Sequence, residues 1–191
     1  MRTALFFGSF NPIHVGHLML AQYVANFGGV DDVWLVVSPQ NPFKEQKGLA
    51  PADVRLRMAE LATAADPKIK VTDVELTLPQ PSYSINTLDA LESRFPDREF
   101  VMVMGADNLP GLPRWREAER LIKGRTFLVY PRDGGIPDGS AVEALGGKVV
   151  RLDAPQVEVS STMIRKWISE GVDVRHFVPS EALELARATY R

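Results

Sequence analysis

Short runs of uniformly apolar residues alternate along this chain with longer segments of helical character. The apolar runs occupy residues 5–7, 33–37, 100–104, 127–130 and 149–150, and a further strand with some polar residues is predicted at 71–76. The helical segments lie at about 18–24, 51–65, 85–94, 164–169 and 179–191. Strands that are apolar at every position are typical of a parallel sheet buried on both faces. The alternation therefore predicts an α/β fold with a three-layer, doubly wound parallel sheet.

The length and composition predict a single domain. The chain has 191 residues, of which 45% are hydrophobic, and this is enough to bury one sizeable core. No internal repeat or low-complexity linker divides it. We therefore expect one domain over 1–191, with a C-terminal helical part, about 160–191, packed on it.

Charge and residue usage exclude several classes of function. The formal net charge is −2, which argues against nucleic-acid binding. There is no cysteine, so disulfides, thiolate metal sites and cysteine nucleophiles are absent. No stretch approaches membrane-spanning length, and the N-terminus has no signal-peptide pattern, so we expect a cytoplasmic enzyme without membrane contact. The sequence leaves open whether the chain forms a homo-oligomer.

The segment 8–17, GSFNPIHVGH, lies between the first predicted strand and the first predicted helix. The start of a helix presents unpaired N–H groups and the positive end of its dipole, which favours an anion such as phosphate. His14 and His17 can contact the same anion, while Gly8 and Gly16 allow a ligand to approach the backbone. An ordinary turn with a capping histidine is the alternative. The Walker loop and the dinucleotide-binding glycine pattern are both missing here.

Other polar segments follow the ends of predicted strands. Ligands of doubly wound sheets bind beyond the carboxyl ends of the strands. The histidine segment, residues 38–44 and residues 105–108 all follow such ends. After the last strand, Ser160 or Ser161 can cap the next helix at the same rim. The sequence therefore predicts one site at this edge of the sheet.

Two separated motifs resemble those of a known superfamily. The segment 8–17 resembles the HxGH signature of nucleotidyltransferases, and 159–165, VSSTMIR, resembles the second signature of their adenylyltransferase branch. Within that branch the chain is most similar to the nicotinate-nucleotide adenylyltransferase family. The resemblance implies a Rossmann-like fold and transfer of AMP from ATP to nicotinate mononucleotide, with release of pyrophosphate, in NAD biosynthesis.

The resemblance also implies roles for residues that bind ATP. His14, His17 and Arg165 are the predicted catalytic residues, with His17 at the α-phosphate and Arg165 at the leaving pyrophosphate. Asp107 is expected near the ribose, although it could instead cap a helix. The full set of predicted ATP-binding residues is Gly8, Ser9, Phe10, His14, Gly16, His17, Gly105, Asp107, Ser160, Ser161 and Arg165.

Four further residues are implied for the acceptor nucleotide. Trp115 matches a tryptophan that stacks on the pyridine ring, and Thr87 matches a threonine near the pyridine carboxylate. Lys44 and Asn41 lie in a proline-interrupted loop that departs from the commoner family pattern by carrying Gln40 and Asn41. Surface positions without function are the alternative for Lys44 and Thr87.

The sequence assigns no protein ligands to a metal. Its acidic residues form no close cluster, so Mg²⁺ is expected to be delivered with ATP and to bind mainly phosphate oxygens. The identity of the acceptor is not decided by the residues alone: nicotinamide mononucleotide and pantetheine phosphate are the alternatives to nicotinate mononucleotide. A nucleotide sensor without catalysis is the alternative from another class, because fold alone does not determine function.

Overall fold

A computed structural model describes residues 1–39, 48–132 and 135–191. The predicted parallel sheet is confirmed: the described residues form six strands in the order β3-β2-β1-β4-β5-β6, and every neighbouring pair is parallel. The strands are β1 (Arg2–Gly8), β2 (Asp32–Val37), β3 (Ile69–Thr72), β4 (Glu99–Gly105), β5 (Thr126–Tyr130) and β6 (Lys148–Arg151).

The helices lie between the strands and after the last of them. They are α1 (Val15–Phe27), α2 (Ala52–Thr63), α3 (Ser84–Arg94), α4 (Ala118–Ile122), α5 (Ser140–Ala144), α6 (Ser161–Ser169) and α7 (Ser180–Tyr190). Two 3-10 helices cover Val74–Leu76 and Ala106–Arg114. Among the described residues, no helix combines the length and apolar character needed to cross a bilayer.

Alternate residues of each strand pack into two cores, one on each face of the sheet. In β2, Leu35 belongs to the core formed with α1, α2, α6 and α7, whereas Trp34 and Val36 face the core formed with α3, α4 and α5. In β4, Val103 belongs to the first of these cores, formed with α1, α2, α6 and α7, and Met102 belongs to the second. Both faces are therefore covered, which explains why the strands are apolar at consecutive positions.

The strand predicted over 71–76 is wrong at residues 73–76, and the observed strand begins two residues earlier, at Ile69. Strand β3 ends at Thr72, and its hydroxyl accepts a hydrogen bond from the backbone N–H of Val74 at 3.3 Å. This bond turns the chain out of the sheet into the first 3-10 helix, where Val74 still packs in the core. A buried apolar residue outside a strand produced the error.

The strand order reverses between β1 and β4, which are neighbours in the sheet. The connections from these two strands therefore leave in opposite directions and open a crevice at the carboxyl end of the sheet. Residues after Gly8 and after Gly105 enter this crevice. It is the position that the sequence predicts for the site.

Candidate active site

A cleft of about 1300 Å³ lies over the carboxyl ends of β1, β4 and β5. The histidine turn, the start of α6, the segment after β4 and the start of α3 all contribute to its wall. Of the residues predicted from the sequence, those on the wall are Gly8, Ser9, His14, Gly16, His17, Gly105, Asp107, Trp115, Ser160, Ser161 and Arg165. One cleft therefore brings most of the predicted residues together.

His14 and His17 form a stacked pair at the start of α1. Their ring centroids are 3.6 Å apart with an interplanar angle of 24°. The backbone N–H of His14 donates to Nδ1 of His17 at 3.2 Å. Because Nδ1 accepts, the neutral His17 ring carries its hydrogen on Nε2. The hydrogen-bond donor of this ring is therefore Nε2, and His17 lies on the cleft wall.

His14 is held in its neutral form. It is 5% exposed, and burial lowers its pKa to about 4, with the positive charge of Arg132 contributing in the same direction. Its Nδ1 is buried and makes no hydrogen bond with the residues that the structure describes. The two histidines therefore differ in environment even though they stack.

Phe10 and Gly8 shape the floor beneath the histidines. Phe10 adopts a positive φ of 45° and is 1% exposed, and its ring contacts that of His17 edge-on with centroids 5.0 Å apart. A Cβ on Gly8 would lie 2.8 Å from the Phe10 ring, so this position requires glycine. Phe10 supports His17 from below, and it does not lie on the wall of the cleft.

The start of α6 binds the histidine turn directly. Ser160 is the N-cap, and its hydroxyl accepts from the backbone N–H of Met163 at 3.2 Å, which confirms the predicted cap. Ser161 donates to the carbonyl of Pro12 at 2.9 Å. Arg165 donates to the carbonyl of Asn11 at 2.8 Å. The two sequence motifs thus form one continuous wall, although about 150 residues separate them.

Arg55 anchors the loops behind this wall, and sequence reasoning missed it. It is 0% exposed, and its guanidinium donates to the carbonyls of Ser9, Ser38, Pro39 and Ala50 at 2.6 to 2.9 Å. Among the described residues, no carboxylate pairs with it. Arg55 therefore ties together the segments after β1, after β2 and before α2.

The segment after β4 adds an exposed acid and a basic neighbour. Asp107 lies on the cleft wall within the second 3-10 helix, whose N-cap is Gly105, so the alternative role of Asp107 as N-cap does not apply. The Arg132 guanidinium lies 3.9 Å from the Asp107 carboxylate and donates to the Tyr130 hydroxyl at 3.3 Å. Arg132 also lies on the wall, and no local motif identifies it.

The far end of the cleft is aromatic and polar. Trp115 is half-buried, lies on the wall and packs against the core formed with α3, α4 and α5. The guanidinium of Arg116 lies 4.7 Å from the centroid of the Tyr83 ring, and both residues line the cleft. A flat aromatic ring can stack in this region.

Thr87 lies behind this end of the cleft. It is 0% exposed, and its hydroxyl donates to Oε1 of Glu75 at 2.7 Å. Glu75 lines the cleft, and burial raises the pKa of its carboxyl while hydrogen bonds from Thr87 and Ser38 act in the opposite direction. The Thr87 hydroxyl is thus directed at Glu75. Lys44 and Asn41 lie outside the described residues.

The described residues contain no group of three or more His, Cys, Asp or Glu side chains that could hold a metal ion. The chemistry of the wall is that of phosphate binding: N–H donors, a guanidinium and imidazoles. Delivery of Mg²⁺ with a nucleotide therefore stays a prediction.

Comparison with known proteins gives the class and then the family. Residues 5–167 match the family described as cytidylyltransferase-like, so the chain is a nucleotidyltransferase. It is 45% identical over 177 residues to a probable nicotinate-nucleotide adenylyltransferase of Bacteroides fragilis, covering 93% of this chain and 87% of the relative. A relative of the same description from Bacteroides thetaiotaomicron is 42% identical, and the alignment covers 100% of this chain and 93% of the relative. The chain belongs to the nicotinate-nucleotide adenylyltransferase family.

Solved structures share the fold. The Plasmodium falciparum nicotinic acid mononucleotide adenylyltransferase complexed with NaAD aligns with a TM-score of 0.76 over 96% of this chain and 93% of that chain, at 19% identity. The same enzyme complexed with APC gives a TM-score of 0.74. The family, the enzyme class and the fold predicted from the sequence are thereby confirmed.

Proposed function

We propose that this enzyme transfers AMP from ATP to nicotinate mononucleotide, forming nicotinate adenine dinucleotide and pyrophosphate. The observation that carries the proposal is the joining of the histidine turn to the start of α6 through Ser161 and Arg165. This wall has the donors that a triphosphate needs. The acceptor comes from the names of the relatives and from the aromatic end of the cleft.

The reaction is a displacement at the α-phosphorus of ATP. An oxygen of the acceptor phosphate forms the new P–O bond, and the bond to the bridging oxygen of pyrophosphate breaks. No side-chain nucleophile is needed, so catalysis depends on positioning and on stabilising the added negative charge. Mg²⁺ bound to the phosphates would neutralise part of that charge.

Several residues of the wall have a part in this scheme. His17 donates from Nε2 to an α-phosphate oxygen, and the backbone N–H of Gly16, in the first turn of α1 and on the cleft wall, donates to the same phosphate. Arg165 holds the leaving pyrophosphate with the donors that it does not use on Asn11 and Thr162. Asp107 accepts hydrogen bonds from the ribose hydroxyls. Trp115 stacks on the pyridine ring of the acceptor.

The test is a direct comparison of acceptors. Purified protein is mixed with Mg²⁺, ATP and either nicotinate mononucleotide, nicotinamide mononucleotide or pantetheine phosphate, and pyrophosphate and dinucleotide are measured. We expect the highest kcat/KM with nicotinate mononucleotide. A higher value with either other acceptor would refute this choice of acceptor. ATP binding without pyrophosphate release would favour a nucleotide sensor. Cytoplasmic location stays a prediction from the sequence, and homo-oligomer formation stays open.

A further inference from the structure

Asn11, in the histidine turn, is held at both its side chain and its main chain. Its Nδ2 donates to the carbonyl of Gly48 at 2.8 Å, and its Oδ1 accepts from the backbone N–H of Ala50 at 3.0 Å. Its own carbonyl accepts from Arg165. Asn11 is 5% exposed, so these bonds are made largely out of contact with water. Its position therefore determines where Arg165 meets the turn that carries His14 and His17.

Tyr190 of α7 supplies one more hydrogen bond to this residue. Its hydroxyl donates to Oδ1 of Asn11 at 2.6 Å. Burial raises the pKa of this phenol well above its ordinary range, although the charges of Arg165 and Arg55 oppose the shift. The hydroxyl therefore keeps its proton near neutral pH and acts as a donor to Asn11.

The fold holds Tyr190 in place from two sides. Helix α7 packs against α2, which carries Arg55, and against α6, which carries Arg165. Ala182 and Ala186 of α7 are fully buried in the first core. The Tyr190 hydroxyl thus reaches Asn11 from the last residue of a helix that is anchored in the core.

We propose that Tyr190 is a positioning residue for ATP in the adenylyl-transfer site. It fixes the amide of Asn11, and Asn11 in turn fixes the carbonyl that binds Arg165 and the turn that leads to the histidines. The inference rests on the proposed function, because it assigns ATP phosphates to Arg165 and His17. Tyr190 lies behind the wall and does not touch the nucleotide.

Tyr190→Phe tests the proposal, because it removes the hydroxyl and keeps the ring that packs against the neighbouring helices. We expect the Kd for Mg²⁺-ATP, measured by calorimetry, to rise about fivefold, since a bond in a buried network contributes on the order of 1 kcal/mol. We expect kcat with nicotinate mononucleotide to fall by a similar factor and the KM for that acceptor to change less than twofold.

Thr189→Val is the matched control. The Thr189 hydroxyl donates to the Leu185 carbonyl within α7, so this variant also loses one hydrogen bond of the same helix. We expect it to lower Tm about as much as Tyr190→Phe does and to leave Kd and kcat unchanged. A purely structural role for Tyr190 would make the two variants alike in all these measurements.

Asn11→Ala removes the same hydrogen bond from its other end. It should weaken ATP binding at least as much, and Tyr190→Phe should have no further effect on Kd in that background. Additive effects, or a Kd for Tyr190→Phe within twofold of the wild type, would overturn the inference. If the wild type binds ATP but transfers no AMP, the proposed function fails while the Kd values still decide this inference. A wild type that binds no ATP would overturn both.

Discussion

The backbone N–H of His14 donates to Nδ1 of His17, and the two imidazole rings stack on each other. This bond selects the tautomer of the neutral His17 ring, which carries its hydrogen on Nε2. Phe10 supports the ring from below. His17 is therefore a fixed donor whose orientation is set before any nucleotide binds.

His17→Ala should abolish most of the activity without unfolding the protein. Loss of one fixed donor at the reacting phosphate lowers kcat by about 10²- to 10³-fold. Steady-state pyrophosphate release and circular dichroism check the result. His176→Ala is the control, because His176 is exposed and lies outside the cleft wall. Equal activity of the two variants would contradict the assignment of His17.

The buried, neutral His14 makes stability depend on pH. Its pKa is lowered in the folded protein from 6.5 to about 4, so the unfolded chain binds more protons between these values. The contribution of His14 to the free energy of unfolding is fully present above about pH 6.5. It is lost as the pH falls towards 4, by up to about 1.4 kcal/mol per pH unit.

Urea unfolding of the wild type and of His14→Asn across this pH range measures that contribution. The difference in free energy of unfolding between the two proteins should shrink as pH falls and become constant below about pH 4. A difference that does not vary with pH would show that His14 titrates normally in the folded protein.

Arg165→Ala should raise the KM for ATP. A charge-assisted hydrogen bond contributes about 1.5–3 kcal/mol, which corresponds to roughly a 10- to 100-fold change. Initial rates at varied ATP and saturating acceptor give the value. The neighbouring Lys166 lies at the surface and pairs with Glu170, so Lys166→Ala is a control with the same change of charge. We expect its KM for ATP to match that of the wild type.

Trp115→Ala should weaken binding of the acceptor and leave binding of ATP unchanged. An aromatic base stacked on a tryptophan gains about 1–3 kcal/mol, so the KM for nicotinate mononucleotide should rise about tenfold or more. Trp115→Phe keeps a stacking surface and should recover most of the affinity. A variant that changes the KM for ATP and not that for the acceptor would place the pyridine elsewhere.

Arg116→Gln should reduce the preference for a carboxylate over an amide on the pyridine ring. The Arg116 cation is held over Tyr83 at the aromatic end of the cleft, where we propose that the acceptor binds, and its Nε lies 3.8 Å from the Glu117 carboxylate. Because the side chain is partly solvated, the effect should be modest, about threefold in the ratio of kcat/KM values for nicotinate and nicotinamide mononucleotide.

Arg94→Gln is the control with the same change of charge. Arg94 lies at the C-terminal end of α3, whereas Tyr83 precedes its start, so this variant should leave the ratio unaltered. Raising the salt concentration should screen the Arg116 charge and reduce the preference of the wild type for nicotinate over nicotinamide mononucleotide, as Arg116→Gln does. An unchanged ratio in Arg116→Gln would assign the preference to other groups of the cleft.

Local patterns predicted the strands of the sheet and the two motifs that line the cleft, because each depends on residues close together in the sequence. The apolar runs predicted strands at the positions of β1, β2, β4, β5 and β6, and the Ser160–Ser161 pair predicted the N-cap of α6. The 3-10 helices and the short helices α4 and α5 were not predicted, since they contain too few residues to show a period.

Contacts between distant residues explain what the sequence did not predict. Arg55 and Tyr190 each occupy a helix where a polar side chain ordinarily faces solvent, and their partners are 5 to 46 and 179 residues away. No spacing rule connects such pairs. Thr87 was placed on the correct helix, but its burial against Glu75 depends on how the first 3-10 helix packs.

The ligands that Arg55 uses in the described part of the chain are main-chain carbonyls, and every amino acid has one. Substitutions in the loops that it anchors would therefore leave its partners in place, whereas replacing Arg55 would release three loops at once. Arg55 therefore places no constraint on the side chains of the residues whose carbonyls it binds, whereas Asn11, His14 and His17 in the same turn are constrained by their own contacts. Mutational tolerance around this cleft should thus be very uneven, and one of its sensitive positions lies behind the wall.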